Sequence, residues 1–277
     1  MALFLRLITL AIALSLGGCS GFFFYPMSTW LQNPARQGLD YEDVVLIHPD
    51  GLRVHGWWLP SATDEVRGTL YHLHGNAENI STHLMNVAWL PDRGYQVLLI
   101  DYRGYGLSDG EPSLSGARED VQLGLDWLYA SGRVEPPLIV FGQSLGAALG
   151  TGVIGRDNNN GKADCVILEA PFTGYQGITR DVMERSWVLW PFSFVVAPLM
   201  PREGRPVDYI GGIAPRPLLI MHSEDDGIIP FEHGQTLFEM ADEPKVFQRL
   251  KGAHIQSMAS RAVRDRLVRF MDEDCRG

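Results

Sequence analysis

The sequence predicts an α/β fold: a mostly parallel central sheet with helices on both faces. Two observations carry this. Short runs rich in Val, Ile and Leu recur along the 277 residues and alternate with longer amphipathic stretches, the pattern of strands buried on both sides and linked by crossover helices. One such run, Leu138-Ile139-Val140-Phe141, leads directly into Gly142-Gln143-Ser144-Leu145-Gly146. That is the strand–turn–helix setting of a nucleophile elbow, where strand and helix pass so closely that small residues must flank the serine.

The elements follow in order. Asp50-Gly51 lies between apolar runs at 44–48 and 52–59 and reads as the turn of a hairpin at one sheet edge. Strand–helix pairs are expected at 69–74 with 81–90, at 96–102 with 114–129, and at 138–141 with 145–154. Asp157-Asn158-Asn159-Asn160-Gly161 is a loop by composition. Further strands are expected at 165–169, 217–221 and 245–250. Residues 172–215 interrupt the alternation and carry Trp187-Val188-Leu189-Trp190-Pro191-Phe192-Ser193-Phe194-Val195-Val196, more apolar than a surface connection should be. They read as a short cap insertion. Three roles stay open for its aromatic run: an acyl pocket, a helix buried on the core, or a lid facing a membrane.

A serine hydroxyl is a weak nucleophile at neutral pH, so it needs a base, and the base needs an orienting acid. Downstream of Ser144, the run Pro217-Leu218-Leu219-Ile220-Met221 ends in His222-Ser223-Glu224-Asp225-Asp226. This puts carboxylates at the carboxyl end of a strand, where ligands of open α/β sheets bind. Asp225, Asp226 and Glu169 compete for the acid. The last predicted strand is followed by Gly252-Ala253-His254, and His254 is the last histidine of the chain. The expected set is Ser144 as nucleophile, His254 as base and one of these carboxylates as acid. Upstream, Tyr71-His72-Leu73-His74-Gly75-Asn76 reads as a strand running into a His-Gly turn. Backbone N–H groups of Asn76 (or Ala77) and of Leu145 are expected to form an oxyanion hole.

Together these segments resemble the α/β-hydrolase superfamily from about residue 41 to the carboxyl terminus. His74-Gly75-Asn76-Ala77-Glu78-Asn79, Asp101-Tyr102-Arg103-Gly104-Tyr105-Gly106-Leu107-Ser108 and Gly142-Gln143-Ser144-Leu145-Gly146 are similar to the Bem46-like, protein-depalmitoylase-like and bacterial serine-aminopeptidase-like branch. The resemblance implies the α/β-hydrolase fold, a serine-hydrolase mechanism and an acid within Asp225-Asp226-Gly227-Ile228-Ile229, at Asp226. The usual Gly-x-Gly-His before the base is shortened to Gly252-Ala253-His254. Such motifs carry fold and mechanism, but not the substrate. Esters or thioesters are expected, with peptidase or amidase action as the enzymatic rival. A non-catalytic envelope lipoprotein that merely keeps the fold is the other alternative.

The amino terminus gives a location. Residues 1–16 hold one charge, Arg6, and an apolar run at 7–16, too short to span a bilayer and suited to a signal-peptide core. Leu16-Gly17-Gly18-Cys19 resembles the bacterial lipobox. This predicts a signal peptide over 1–18, a lipid on Cys19, and an anchored segment over 19–40 before a hydrolase domain at 41–277. Ser20 after the cysteine favours the outer membrane. The run Phe22-Phe23-Phe24-Tyr25-Pro26 reads either as an interface contact or as packing on the domain. With Cys19 assigned to lipid, Cys165 is expected to pack as a small apolar residue rather than to pair with Cys275.

Composition excludes other classes. The formal charge is −10, and −11 once Arg6 leaves with the leader, which disfavours nucleic acid and anionic surfaces. No phosphate-cradling glycine motif follows any strand, so no nucleotide cofactor is expected. His72 and His74 have no third ligand nearby, and His74 reads as a satisfied polar residue at the site edge. No metal is expected.

Overall fold

The computed structural model describes residues 24–156, 159 and 161–276. Eight strands build the main sheet: β2 (Glu42–Ile47), β3 (Arg53–Leu59), β4 (Gly68–Leu73), β6 (Tyr95–Ile100), β7 (Leu138–Gln143), β8 (Cys165–Glu169), β9 (Leu218–Ser223) and β10 (Lys245–Leu250). Their order is β10-β9-β8-β7-β4-β6-β3-β2. β2 and β3 form the antiparallel hairpin at one edge, β3 meets β6 antiparallel, and all other neighbours are parallel. Asp50-Gly51 makes the hairpin turn with Gly51 at φ 89°.

Alternation along the buried strands divides the core into two layers, as a sheet covered on both faces requires. In β7, Leu138 and Val140 join one apolar cluster while Ile139 and Phe141 join the other. The first layer is covered by α1 (Leu114–Ser131) and α2 (Leu145–Ile154). Ser113 caps α1 by accepting from the Gly116 N–H, Gly132 ends it at φ 67°, and Ala117, Val121, Leu125 and Leu128 form its buried stripe. The second layer is covered by α5 (Arg261–Glu273), through Val263, Leu267, Phe270 and Met271. Two further helices, α3 (Tyr175–Glu184) and α4 (Phe231–Met240), belong to the cap and to the β9–β10 crossover.

The fold departs from expectation at residues 81–90 and at Cys165, and it narrows the roles left open for the cap. Residues 81–90 are not one helix: a four-residue helix Ile80–His83 passes into 3₁₀ turns at Leu84–Asn86 and Pro91–Arg93. Ser81, Thr82 and Asn79 spend their side chains on the Leu31 N–H, the Asn79 carbonyl and the Met27 and Thr29 carbonyls, the competition that disfavours these residues within helices. Cys165 and Cys275 are joined as a disulfide, with Cα atoms 5.2 Å apart. The turn just after α5 returns to the start of β8, a proximity that a sequence separation of 110 between the two cysteines does not reveal. The aromatic run of the cap forms no helix buried on the core. Residues 190–199 are three short turns, Trp190–Phe192, Ser193–Val196 and Ala197–Leu199, and the large side chains are exposed.

The amino-terminal stretch packs on the domain from Phe24 onward. Phe24 is buried against Tyr105, with ring centroids 6.2 Å apart. Strand β1 (Tyr25–Pro26) pairs in parallel with β5 (Ala77–Glu78), the strand that follows the His-Gly turn. The proposed leader and Cys19 lie outside the described residues, as does most of the 157–161 loop. Among the described residues no helix is long and apolar enough to cross a membrane.

Candidate active site

Ser144 occupies the turn between β7 and α2 with φ 53° and ψ −112°, a strained backbone for a residue with a Cβ. The glycines around it are required by contact. A Cβ on Gly146 would sit 2.1 Å from the Leu73 carbonyl oxygen, and one on Gly142 would sit 2.6 Å from the Ala147 Cα. Gly146→Ala is therefore expected to destabilise the fold by about 3 kcal/mol, since neither backbone can yield without moving β4. An unchanged urea midpoint would contradict this packing.

The remaining parts lie at the carboxyl ends of neighbouring strands: Asn76 after β4, Asp226 after β9 and His254 after β10. His254 Nδ1–H donates to Asp226 Oδ2 at 2.7 Å, which leaves the ring's Nε2 outside this hydrogen bond. Asp226 Oδ1 accepts from the Ile228 and Ile229 N–H groups at 2.8 and 2.9 Å. Burial pushes its carboxyl up, but the hydrogen bond and charge of His254, with the two amides, outweigh this and hold it below the usual range. Asp226 is also the carboxylate approached by His222, whose Nε2 is 3.6 Å away.

The competing carboxylates are engaged elsewhere. Asp225 is half exposed and accepts from the Gly252 N–H at 3.2 Å. Glu169 accepts from Gln143 Nε2 at 2.6 Å beneath the elbow, and burial raises its carboxyl. The Gln143 oxygen in turn receives His72 Nε2 and Asn86 Nδ2 at 2.9 and 2.8 Å. A polar knot thus braces the residue before Ser144.

Ser144, His254, Asn76, Ala77 and Leu145 all line one cavity of about 410 Å³. Its remaining wall is largely apolar, from Phe172, Ile178, Val182, Met183, Leu189 and Ile229 among others. Leu145 opens α2, so its N–H belongs to the unpaired donors of a helix's first turn. A wider depression of about 670 Å³, with Arg180, Asp181 and His233 on its wall, holds no serine. Among the described residues no group of three His, Cys, Asp or Glu is arranged to hold a metal.

Sequence reading missed the residues that shape the Asn76 turn. Tyr102 OH donates to the His74 carbonyl at 3.0 Å and Tyr105 OH donates to the Asn76 carbonyl at 2.6 Å. Both come from the Asp101-Tyr102-Arg103-Gly104-Tyr105-Gly106 segment after β6, where two tyrosines three apart flank a tight glycine turn. His74 is fully buried rather than at the site edge, stacks on Tyr102 at 4.2 Å, and makes no hydrogen bond through its Nε2, which lies 3.8 Å from Asp101 Oδ1. Burial drives its charged form down.

Beside it, Asp101 is buried, accepts from the Ile80 N–H at 2.8 Å and is pushed up to about 7 by desolvation. A carboxyl raised in the folded state keeps its proton while the unfolded chain releases one. Its stabilisation is therefore complete below about pH 4 and is lost as pH rises towards 7. Urea titrations of wild type and Asp101→Asn at pH 4.5 and 7.5 are expected to diverge, wild type alone losing about 3 kcal/mol from this group.

This geometry has relatives. A sequence profile described as serine aminopeptidase, S33 matches residues 64–203. The chain belongs to the α/β-hydrolase superfamily. The hydrolase is 35% identical over 258 residues to the protein YfhR of Escherichia coli K12, covering 90% of this chain and 86% of that one. It is 27% identical over 274 residues to the lysophosphatidylserine lipase ABHD12 of Danio rerio, covering 86% and 69%. Among solved structures it superposes on the Pyrococcus furiosus esterase Pf2001 with a TM-score of 0.74 over 91% of this chain and 97% of that one. At 19% identity that likeness concerns the fold.

Proposed function

We propose that this hydrolase cleaves carboxylic esters or thioesters with an apolar acyl group, through a Ser144-His254-Asp226 triad and an acyl-enzyme. The observation that carries the reading is the His254–Asp226 hydrogen bond of 2.7 Å opening onto the same apolar cavity as the strained Ser144. Ser144 Oγ attacks the carbonyl while His254 Nε2 takes its proton, and Asp226 holds the ring and stabilises the imidazolium. The N–H groups of Asn76 and Leu145 bind the developing oxyanion. His254 then protonates the leaving oxygen or sulfur, and water activated by the same ring releases the acid.

The rival is aminopeptidase action, favoured by the description of the matching family. Such an enzyme needs an acceptor for the substrate's ammonium group. None of the residues lining the cavity is an Asp or Glu, and an ammonium buried there unpaired is costly. A lipid-like ester suits the apolar wall better, in keeping with the lipase name of one relative.

We also propose that Cys19 carries the lipid that holds the enzyme on the outer membrane, as its Leu16-Gly17-Gly18-Cys19 sequence suggests.

The test is a fluorophosphonate probe followed by p-nitrophenyl esters and thioesters of increasing chain length beside aminoacyl p-nitroanilides. Labelling, with turnover of esters that rises with chain length, is the expected result. Faster release of the nitroanilides would favour the aminopeptidase. No labelling of folded protein would return the chain to the non-catalytic class.

A further inference from the structure

Large apolar side chains are normally scattered singly over a protein surface. Here they collect on the cap. Trp187 is 85% exposed, Phe194 72%, and Trp190, Phe192, Val195 and Leu199 are each more than half exposed, all within thirteen residues. The inner side of the same turns buries Ser193, Ala197 and Met200, and Gln176 Nε2 ties the segment down by donating to the Pro198 and Met200 carbonyls. Ser193, Ala197 and Met200 thus face inward while the aromatic side chains stay exposed, the reverse of what burial from water alone would select for the largest apolar groups. Pro191, Pro198 and Pro201 keep the segment in short turns, which leave the rings exposed.

That face runs into the mouth of the cavity. Leu189 belongs to both, and the rim adds Tyr25, Val182 and Ile228, each an exposed apolar side chain that also lines the cavity.

We infer that the outer face of the cap docks into a lipid bilayer interface and opens the Ser144 cavity toward the membrane, so that the acyl substrate enters from the lipid. Two observations select a bilayer over another occupant. The chain enters the cavity rim at Tyr25, only six peptide steps after Cys19. Those steps span at most about 20 Å, so an amino terminus held in the membrane keeps the cavity mouth at its surface. Charge agrees: residues 172–215 carry four Arg against four Asp and Glu, while the whole chain has a formal charge of −10. The cap is thus a neutral region on an acidic protein, and approach to a surface of anionic and zwitterionic lipid meets no local repulsion. Trp and Phe beside arginines suit the boundary between acyl chains and headgroups.

The substrate part of this inference rests on the proposed acyl-transfer reading; the docking part does not, resting instead on the exposed cap face and the proposed anchor at Cys19. Both are tested with the full-length protein in vesicles of phosphatidylethanolamine and phosphatidylglycerol with brominated acyl chains. Wild type and Ser144→Ala are expected to show equal bromine quenching of tryptophan emission. Phe194→Asp/Val195→Asp, outside the cavity wall, is expected to lower it roughly tenfold. Because the amino terminus is unaltered in that variant, its anchoring is the same and the readout reports the cap alone. The variant should also lose roughly tenfold in turnover of a vesicle-borne long-chain ester while hydrolysing water-soluble p-nitrophenyl acetate at the wild-type rate. Absent quenching in wild type, quenching unchanged in the variant, or self-association that only the variant loses would each overturn the docking. A quenched protein that turns over neither ester would instead overturn the acyl-transfer reading and leave the docking standing.

Discussion

Ser144→Ala is expected to lose ester turnover by roughly 10⁴–10⁶-fold in kcat while unfolding at the wild-type midpoint. The substitution removes one oxygen and little else. The side chain caps nothing in α2, so no buried partner is stranded by its loss. The φ of 53° is as tolerable for alanine as for serine, and Gly142 and Gly146, which permit the close crossing of β7 and α2, are untouched. Whatever turnover remains reports the oxyanion donors and substrate positioning, which act on a water nucleophile as well. The comparison is steady-state hydrolysis beside a urea titration of the same preparation. A folded, active variant would remove Ser144 from the mechanism.

Asp226→Asn comes next, with a loss of about 10⁴-fold in kcat. The carboxylate receives His254 Nδ1–H at 2.7 Å and two backbone N–H groups on its other oxygen. An asparagine that keeps the Ile228 and Ile229 amides on its oxygen must turn its NH₂ towards His254. The ring then becomes the acceptor at Nδ1 and carries its proton at Nε2, the nitrogen that has to take one from Ser144. Asp225→Asn is the matched control and should remain close to wild type, because that carboxylate reaches the Gly252 N–H and the exposed Lys251 instead. Equal losses in the two variants would mean that the acidic loop acts only by its charge.

The pH dependence follows from the same contacts. Asp226 is held below the usual carboxylate range, so it contributes stability above the unfolded value, lost as pH falls through its lower folded value. Asp101 has the opposite sign, its contribution disappearing as pH rises towards 7. Stability should therefore be dome-shaped, with Asp101→Asn flattening the alkaline flank.

Local chemistry determined much of this protein from the sequence. Strands buried on both faces need continuous apolar runs, and a crossing as close as that of β7 and α2 needs Gly142 and Gly146; both are one-dimensional signals. The order of Ser144, an acidic cluster and a Gly-containing turn before His254 is likewise readable, because each sits at the end of its own strand. Strand order and register then converge these ends on one side of the sheet.

What depends on neighbours distant in the chain was decided only by the tertiary structure. Which of the two carboxylates meets His254 is the direction of adjacent side chains in one turn: Asp226 reaches the ring and Asp225 the Gly252 N–H. Tyr102 and Tyr105 became supports of the Asn76 turn because β6 lies beside β4. Cys165 found Cys275 because α5 packs back on β8. Residues 81–90 kept the composition of a helix but lost it to side-chain bonds with residues 27–31. The cap shows the limit most plainly. Its hydrophobicity was visible in the sequence, yet inward and outward faces exist only once Ser193, Ala197 and Met200 have packed against the domain, leaving Trp187, Trp190 and Phe194 outside.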